Sequence, residues 1–273
     1  MSTYNESAKP KVTTARLLEM KHNGEKIACL TSYDFTMSSI VDAAGIDLIL
    51  VGDSAANVMM GYDTTLPITL DDMITFAKGT VRGARRAMVI VDLPFGYYQG
   101  NPEIALASAV RIMKETGAAG VKLEGGEEIL DSIKCILSAG IPVCGHLGLT
   151  PQSINKFGGY GVRAKEEAEA ERLISDARML DEAGCFAIVL EKIPSALAAK
   201  VTSSVSVPVI GIGAGNNVDG QILVVQDMLG MNRGFSPKFV RHYASLADVM
   251  EQALGQYVTD VKAVDFPNAS EQY

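Results

Sequence analysis

The sequence has few of the features that mark several large classes of protein. Only four of its 273 residues are cysteines, and none forms a CxxC pair or a paired spacing typical of a metal or disulfide framework. Its apolar runs are strand-sized, well short of the roughly 18 residues of a membrane span. With a net charge of -8, the chain also lacks the basic excess expected of a nucleic-acid groove or a polybasic membrane surface.

The first residues lack a charged segment followed by an apolar one, so no signal peptide is indicated and we expect a cytoplasmic protein. In that compartment cysteines stay reduced. Here they stand singly among apolar residues, so we predict mostly buried thiols. They are Cys29, Cys135, Cys144 and Cys185.

The composition is that of an ordinary folded chain, with 48% hydrophobic and 21% charged residues. A chain of this length can bury a large core without a disulfide or metal. No linker, low-complexity tract or charge block interrupts it. We therefore predict one domain over residues 1–273, with flexible ends at 1–11 and 265–273.

One unit recurs along the chain: an amphipathic helix, a glycine and a short, continuously apolar strand. Asn101 as N-cap, Pro102 at the first helical position and Gly117 as the stop illustrate it. Continuous apolar strands indicate a parallel sheet covered on both faces. A barrel of eight such units needs about 250 residues. We predict an α/β fold, a (β/α)8 TIM barrel, with strands near 27–32, 48–52, 88–92, 119–123, 141–145, 186–190, 208–212 and 222–226.

Two helical segments flank the repeated units. Thr14 is the expected N-cap of a short helix over 15–21, which would close the lower mouth of the barrel. Near the other end, an apolar stripe at helical spacing is expected to pack on the barrel or on a partner subunit. The stripe consists of Leu246, Val249, Met250, Leu254, Tyr257 and Val261.

Polar side chains stand at the ends of five consecutive predicted strands. Active sites of (β/α)8 barrels are built at the C-terminal ends of their strands. A single polar strand end is common, whereas five in succession favour a site. The residues are Asp53 with Ser54, Asp92, Lys122 with Glu124, His146, and Glu191.

These residue types suit chemistry beside a carbonyl group. The carboxylates of Asp53, Asp92 and Glu124 are hard oxygen ligands that fit Mg²⁺. A bound Mg²⁺ would polarise a substrate carbonyl and stabilise an enolate, and Lys122 would add positive charge there. Glu191 is a candidate base. With a single histidine at the strand ends and no cysteine pair, zinc is less natural.

Each of these residues also has a plain structural interpretation. Asp53 could cap the following turn, Asp92 could order the turn at Pro94, and Ser54 could form a turn. Lys122 and Glu124 lie on one face of a strand and could be a structural ion pair. His146 could be a buried structural histidine, and Glu191 a solvated loop charge.

Several motifs resemble those of the ketopantoate hydroxymethyltransferase family. The resemblance extends over roughly residues 12–260, and the run around His146 is its most specific part. The matching stretches are 31–34, 51–54, 65–67, 92–95, 121–126, 143–153, 157–160, 208–215 and 219–224.

The resemblance implies a (β/α)8 barrel, a large homo-oligomer (a homodecamer), Mg²⁺, and 5,10-methylenetetrahydrofolate as co-substrate. By position, Asp53 and Asp92 would bind the metal directly, with Glu124 near it through water. Substrate contacts would come from Asp53, Ser54, Asp92, Lys122 and His146.

By the same resemblance, Glu191 would remove the C3 proton of 3-methyl-2-oxobutanoate. The Mg²⁺-stabilised enolate would then capture the methylene carbon, which gives 2-dehydropantoate (ketopantoate) for pantothenate biosynthesis. We expect no nucleic-acid or membrane partner. Folate is anionic, so basic residues at the mouth could bind it or could simply be solvated. They are Lys156, Arg163 and Lys165.

Three other functions remain open on the sequence. A Schiff-base aldolase would use Lys122 as nucleophile, although the neighbouring Glu124 would keep this lysine charged. A Mg²⁺-dependent carbon–carbon lyase of the phosphoenolpyruvate/isocitrate-lyase type would use the same acidic site. A non-catalytic binding or assembly module would tolerate Glu191→Gln and Asp92→Asn.

Overall fold

Eight parallel strands close into a barrel in the computed structural model, which describes residues 10–234 and 236–273. Each strand pairs with its neighbour in sequence, and the first pairs with the last. The predicted (β/α)8 barrel is confirmed. The strands are β1 (Ile27–Thr31), β2 (Leu48–Val51), β3 (Met88–Asp92), β4 (Gly120–Glu124), β5 (Val143–Gly148), β6 (Ala187–Glu191), β7 (Val209–Ile212) and β8 (Gly220–Leu223).

Helices lie between successive strands of the barrel as far as β7, as the repeated sequence unit predicts, whereas β7 is followed directly by β8 without a helix. Two short 3-10 turns, at Glu127–Ile129 and Pro151–Ser153, precede helices in this series. The helices between residues 10 and 224 are α1 (Thr14–His22), α2 (Phe35–Ala43), α3 (Ala55–Val58), α4 (Leu70–Gly83), α5 (Pro102–Thr116), α6 (Leu130–Ser138), α7 (Ile154–Phe157), α8 (Glu167–Ala183) and α9 (Ser195–Ser204).

The helix ends follow the capping chemistry of the sequence closely. The side chain of Asn101 accepts hydrogen bonds from the backbone at the start of α5, and Gly117 ends that helix in the left-handed conformation. At α1 the prediction is wrong by one residue. The side chain of Thr13, rather than Thr14, accepts from the amide of Arg16.

The barrel interior is apolar at the end where the strands begin. Alternate strand residues face inward, and buried residues of seven of the eight strands form one cluster, against which Ala119, just before β4, is packed. Leu17 and Met20 of α1 belong to the same cluster, so the predicted closure of the lower mouth by a short helix is confirmed. The inward strand residues of this cluster include Cys29, Leu48, Met88, Ile90, Cys144, Val189 and Ile210.

The eighth strand begins earlier than predicted. Gly220 pairs with both Ile27 and Ile210, whereas Val225–Met228 are helical. A Cβ on Gly220 would lie 2.5 Å from the carbonyl oxygen of Ile27, so this strand must start with the one residue that has no side chain. The start of β8 therefore lacks the apolar residue from which a strand is predicted.

By their contacts the residues divide into two compact units, up to Val224 and from Val225 onward. The second unit contains α10 (Val225–Met228) and α11 (Leu246–Lys262). No residue of α11 is buried, and Val249, Leu254 and Tyr257 are more than half exposed. The expectation that this stripe packs on the barrel or on a partner subunit stays a prediction, as does the single domain.

The described residues contain no helix that combines the length and the apolar character needed to cross a bilayer. Three of the four cysteines, Cys29, Cys144 and Cys185, are buried thiols, and Cys135 is partly buried. The ends predicted to be flexible fall partly outside the described range, since residues 1–9 are not described.

Candidate active site

A polar layer lies directly above the apolar interior of the barrel. On β3 the inward series runs Met88, Ile90, Asp92, so the same face that packs the core ends in a carboxylate. On β5 the series passes from Cys144 to His146 in the same way. Because all strands are parallel, these polar ends meet at one mouth.

Lys122 on β4 is at the centre of this layer. Its ammonium Nζ lies 2.8 Å from Oδ1 of Asp92, 3.1 Å from Nδ1 of His146 and 3.9 Å from Oε1 of Glu124. All four side chains are buried. Burial alone would lower the pKa of Lys122, but the surrounding carboxylates, Asp92 first, raise it above its usual value. Lys122 is therefore a buried cation.

His146 connects this cation with Glu191 on β6. Burial and the charge of Lys122 lower the pKa of His146 to about 4, so the ring is neutral at pH 7. Since Nδ1 faces the ammonium, we assign it as the acceptor and place the hydrogen on Nε2. Nε2 lies 3.4 Å from Oε2 of Glu191, the candidate base, without forming a hydrogen bond to it.

Asp53 and Ser54 join the layer from the loop that follows β2. The backbone amide of Asp53 donates to Oδ2 of Asp92 at 3.0 Å, which ties the ends of β2 and β3 together. Ser54 lies at the start of α3 without capping it; its hydroxyl is 2.8 Å from the hydroxyl of Tyr33. Neither residue acts as a side-chain helix cap here.

The three carboxylates carry unusual proton affinities. Burial is the main cause for each, and a neighbouring carboxylate adds to it: Glu124 for Asp53, Asp53 for Asp92, and Asp92 for Glu124. The pKa of Asp53 rises to about 6, and the pKa values of Asp92 and Glu124 rise to about 7. Three buried carboxylates with raised pKa values favour the binding of a cation among them.

The residues fit a Mg²⁺ ion that takes few protein ligands. Oε1 of Glu124 is buried without a hydrogen-bond partner, although it lies 3.2 Å from Nδ1 of His146. Across residues 10–234 and 236–273, no three Asp, Glu, His or Cys side chains are arranged to enclose an ion by themselves. Mg²⁺ commonly binds through one or two carboxylates and completes its shell with water and substrate oxygens.

Two buried residues that the sequence interpretation left without a role complete the cluster. The side-chain amide of Gln152 donates to Oδ2 of Asp53 at 3.0 Å, and its backbone amide donates to Oε2 of Glu124 at 2.9 Å. The hydroxyl of Tyr98 lies 2.7 Å from Oε1 of Gln152. Gln152 stands in a motif that carries the family resemblance, whereas no sequence signal identifies Tyr98.

The basic residues expected near the mouth differ in their environment. Arg163 is engaged: its guanidinium pairs with Glu169 and lies 4.1 Å from the ring centroid of Phe157. Lys156 and Lys165 are exposed. The position of Arg163 is therefore fixed by Glu169 and Phe157, and the folate-binding role of the three basic residues stays a prediction.

The fold is shared with enzymes whose sequences are very different. A crystal structure of phosphonopyruvate hydrolase in complex with oxalate and Mg²⁺ superimposes with a TM-score of 0.61 at 11% identity, covering 95% of this chain and 93% of that chain. At this identity the likeness concerns the fold alone.

Sequence comparison is more specific. The chain is 66% identical to the 3-methyl-2-oxobutanoate hydroxymethyltransferase of Bacteroides fragilis over 273 residues, which is the full length of both. It is also 66% identical to the enzyme of the same name from Flavobacterium johnsoniae, again over both full lengths. A family model described as ketopantoate hydroxymethyltransferase matches residues 11–269. The chain therefore belongs to the ketopantoate hydroxymethyltransferase family.

Proposed function

We propose that this protein transfers a hydroxymethyl group from 5,10-methylenetetrahydrofolate to 3-methyl-2-oxobutanoate. The product would be 2-dehydropantoate (ketopantoate), an intermediate of pantothenate and coenzyme A biosynthesis. Family membership over residues 11–269 supports the reaction class. The observation that carries the proposal is the buried cluster around Lys122, which places a cation, carboxylates and a candidate base at one mouth of the barrel.

Asp53 and Asp92 would hold Mg²⁺ directly, and Glu124 would hold it through water. The hydrogen bond from the Asp53 amide to Asp92 brings these residues together before any ion binds. When bound, the ion would supply Lewis-acid polarisation of the substrate carbonyl.

Lys122 and Ser54 would bind the carboxylate and keto end of the substrate, with Asp53, Asp92 and His146 around it. A buried ammonium is suited to this task because its interaction with a substrate anion is little screened by water. The contact between Tyr33 and Ser54 would fix the Ser54 hydroxyl toward the ligand.

Glu191 would take the proton from C3 of the substrate. Its carboxylate lies at the end of β6, partly exposed, next to the neutral ring of His146. The electron pair left on C3 would form the new bond to the methylene carbon as the carbon–nitrogen bonds of the cofactor break. Water would supply the hydroxyl oxygen, and the C3 proton and one proton of that water would pass to the two nitrogens of the departing tetrahydrofolate.

An imine mechanism at Lys122 is disfavoured by the same geometry. A nucleophilic lysine must be neutral, whereas Asp92 and Glu124 hold Lys122 in its charged form. Treatment with borohydride in the presence of substrate should therefore leave Lys122 unmodified.

A turnover assay tests the proposal directly. Purified protein with Mg²⁺ and 5,10-methylenetetrahydrofolate should convert 3-methyl-2-oxobutanoate, and a chelator should abolish the reaction. Cleavage of isocitrate-like acids without turnover of 3-methyl-2-oxobutanoate would favour the lyase alternative. If Glu191→Gln and Asp92→Asn both kept full activity, the site would be non-catalytic.

We also propose a cytoplasmic enzyme that assembles as a homodecamer without nucleic-acid or membrane partners. The exposed apolar side chains of α11, among them Val249, Leu254 and Tyr257, support assembly with further copies. Sedimentation analysis should find ten chains per particle, and a stable monomer would contradict this part.

A further inference from the structure

Gln152 is placed where it can control two carboxylates of the site at once. It belongs to the 3-10 turn Pro151–Ser153 that follows β5, and its side chain is buried. The amide group Nε2 donates to Oδ2 of Asp53 at 3.0 Å and to the carbonyl oxygen of Leu93 at 3.1 Å. From the same residue, the backbone amide reaches Oε2 of Glu124 at 2.9 Å.

The orientation of this amide is fixed from its other side. Oε1 of Gln152 lies 2.7 Å from the hydroxyl of Tyr98 and accepts from Nε2 of Gln99 at 3.1 Å. Rotating the amide by 180° would set its oxygen against the Asp53 carboxylate and the Leu93 carbonyl. Two donors on one side and two acceptors on the other therefore leave one favourable orientation.

Tyr98 has few other options for its own proton. Its side chain is fully buried, and its hydroxyl accepts from the backbone amide of Glu124 at 3.2 Å. The Gln152 oxygen at 2.7 Å is closer than the carbonyl oxygen of Glu124 at 3.2 Å, so we assign the Tyr98 proton to Gln152. A chain of hydrogen bonds thus runs from Glu124 through Tyr98 and Gln152 to Asp53.

We propose that Gln152, held by Tyr98, is a positioning residue that fixes the Asp53 and Glu124 carboxylates for Mg²⁺. This inference rests on the proposed function, because it takes these carboxylates as the metal-binding groups. Outer hydrogen-bond partners of metal ligands typically change metal affinity or activity by roughly 10- to 100-fold when they are removed. If Gln152 only supported the loop, its replacement would change the stability of the protein and leave the Mg²⁺ affinity of the folded protein unchanged.

The substitution Gln152→Met tests the contribution of the side-chain amide alone. It keeps the length of the residue and the backbone hydrogen bond to Glu124, while removing the donor to Asp53. We expect the dissociation constant for Mg²⁺, measured by isothermal titration calorimetry without substrate, to rise by roughly 10- to 100-fold. The substitution Tyr98→Phe should raise it in the same direction, and the double variant should be no worse than Gln152→Met, since both act through one chain.

Gln256→Met provides a matched control. In α11 the Gln256 amide also donates to an aspartate, Oδ1 of Asp260 at 2.7 Å, but on an exposed surface. The Mg²⁺ affinity of the Gln256→Met variant should equal that of the wild type. Unchanged affinity in folded Gln152→Met would overturn the inference; if that variant does not fold, unchanged affinity in Tyr98→Phe would do so.

The same experiment separates this inference from the proposed function. Wild-type protein that turns over 3-methyl-2-oxobutanoate while both variants bind Mg²⁺ normally would refute the positioning role and leave the function standing. A different result would support the positioning role and refute the function. In that case the wild-type protein binds Mg²⁺ and both substitutions lower the affinity, but the wild type never turns over this substrate.

Discussion

The substitution Lys122→Met should make the stability of the metal-free protein strongly dependent on pH. Lys122 is the cation that offsets the buried carboxylates of Asp92 and Glu124, at 2.8 and 3.9 Å. Methionine matches its length but carries no charge. The substitution therefore leaves the two carboxylates buried without the lysine that compensates them.

The magnitude follows from the burial of the pair. Removing one partner of a buried ion pair costs about 3–5 kcal/mol. At about 2–4 °C per kcal/mol, the melting temperature should fall by roughly 6–20 °C at pH 8.

The sign of the pH dependence follows from the proton affinities. With Lys122 present, the pKa values of Asp92 and Glu124 are already raised to about 7, and its loss raises them further. An acid whose pKa is higher in the folded state destabilises the fold above its unfolded pKa, and fully so above its folded one. The fall in melting temperature of Lys122→Met relative to wild type should therefore be largest at pH 8 and become smaller toward pH 5.

The assay is thermal unfolding of both proteins in the presence of a chelator, from pH 5 to pH 8. Lys78→Met is the matched control, since Lys78 pairs with Glu115 at 3.3 Å on the surface. Exposed pairs contribute little, so its melting temperature should stay close to wild type at every pH. A Lys122→Met protein as stable as this control at pH 8 would refute the account of the buried cation.

Three further outcomes are expected. Leu17→Ala, in the helix that closes the lower mouth, should cost about 2–5 kcal/mol in chemical unfolding and leave the KM for substrate unchanged, because the cavity forms at the far end of the barrel from the site. Gly126→Ala should lower the melting temperature, since its Cβ would lie 2.3–2.7 Å from the Asp176 carboxyl group, and Asp176→Ala should restore part of the loss. Mg²⁺ should bind at least tenfold more weakly at pH 6 than at pH 8 in calorimetry, because protons compete for Asp53 and Asp92, whose pKa values are about 6 and about 7; equal affinity would exclude them as ligands.

The barrel could be predicted because its determinants are local and repeated. Consecutive residues are enough to recognise the glycines that end helices, such as Gly117 and Gly184, and the apolar strands between the helices. The start of β8 could not be predicted, since Gly220 is selected by a close approach to Ile27 across the barrel seam. Pairing between the first and last strands leaves no local pattern.

The polar layer could be predicted in part. Inward-facing polar residues in the C-terminal halves of strands, such as Asp92 and His146, follow from the two-residue period of a strand and the common direction of all strands. The partners of these residues could not be predicted this way. Tyr98 lies in a loop, 26 residues from the Glu124 backbone that it contacts and 54 from Gln152. The pairing of Arg163 with Glu169 likewise depends on the loop conformation.

Proton exchange at C3 of 3-methyl-2-oxobutanoate tests the central claim most directly. In deuterated water with Mg²⁺ and without folate, the wild-type protein should replace the C3 proton by deuterium, observed by proton NMR. Glu191→Gln should slow this exchange by roughly 10²- to 10⁴-fold while still binding the substrate. Glu182→Gln, the same substitution on an exposed face of α8, should exchange at the wild-type rate. Wild-type exchange by Glu191→Gln would contradict the assignment of Glu191 as the base.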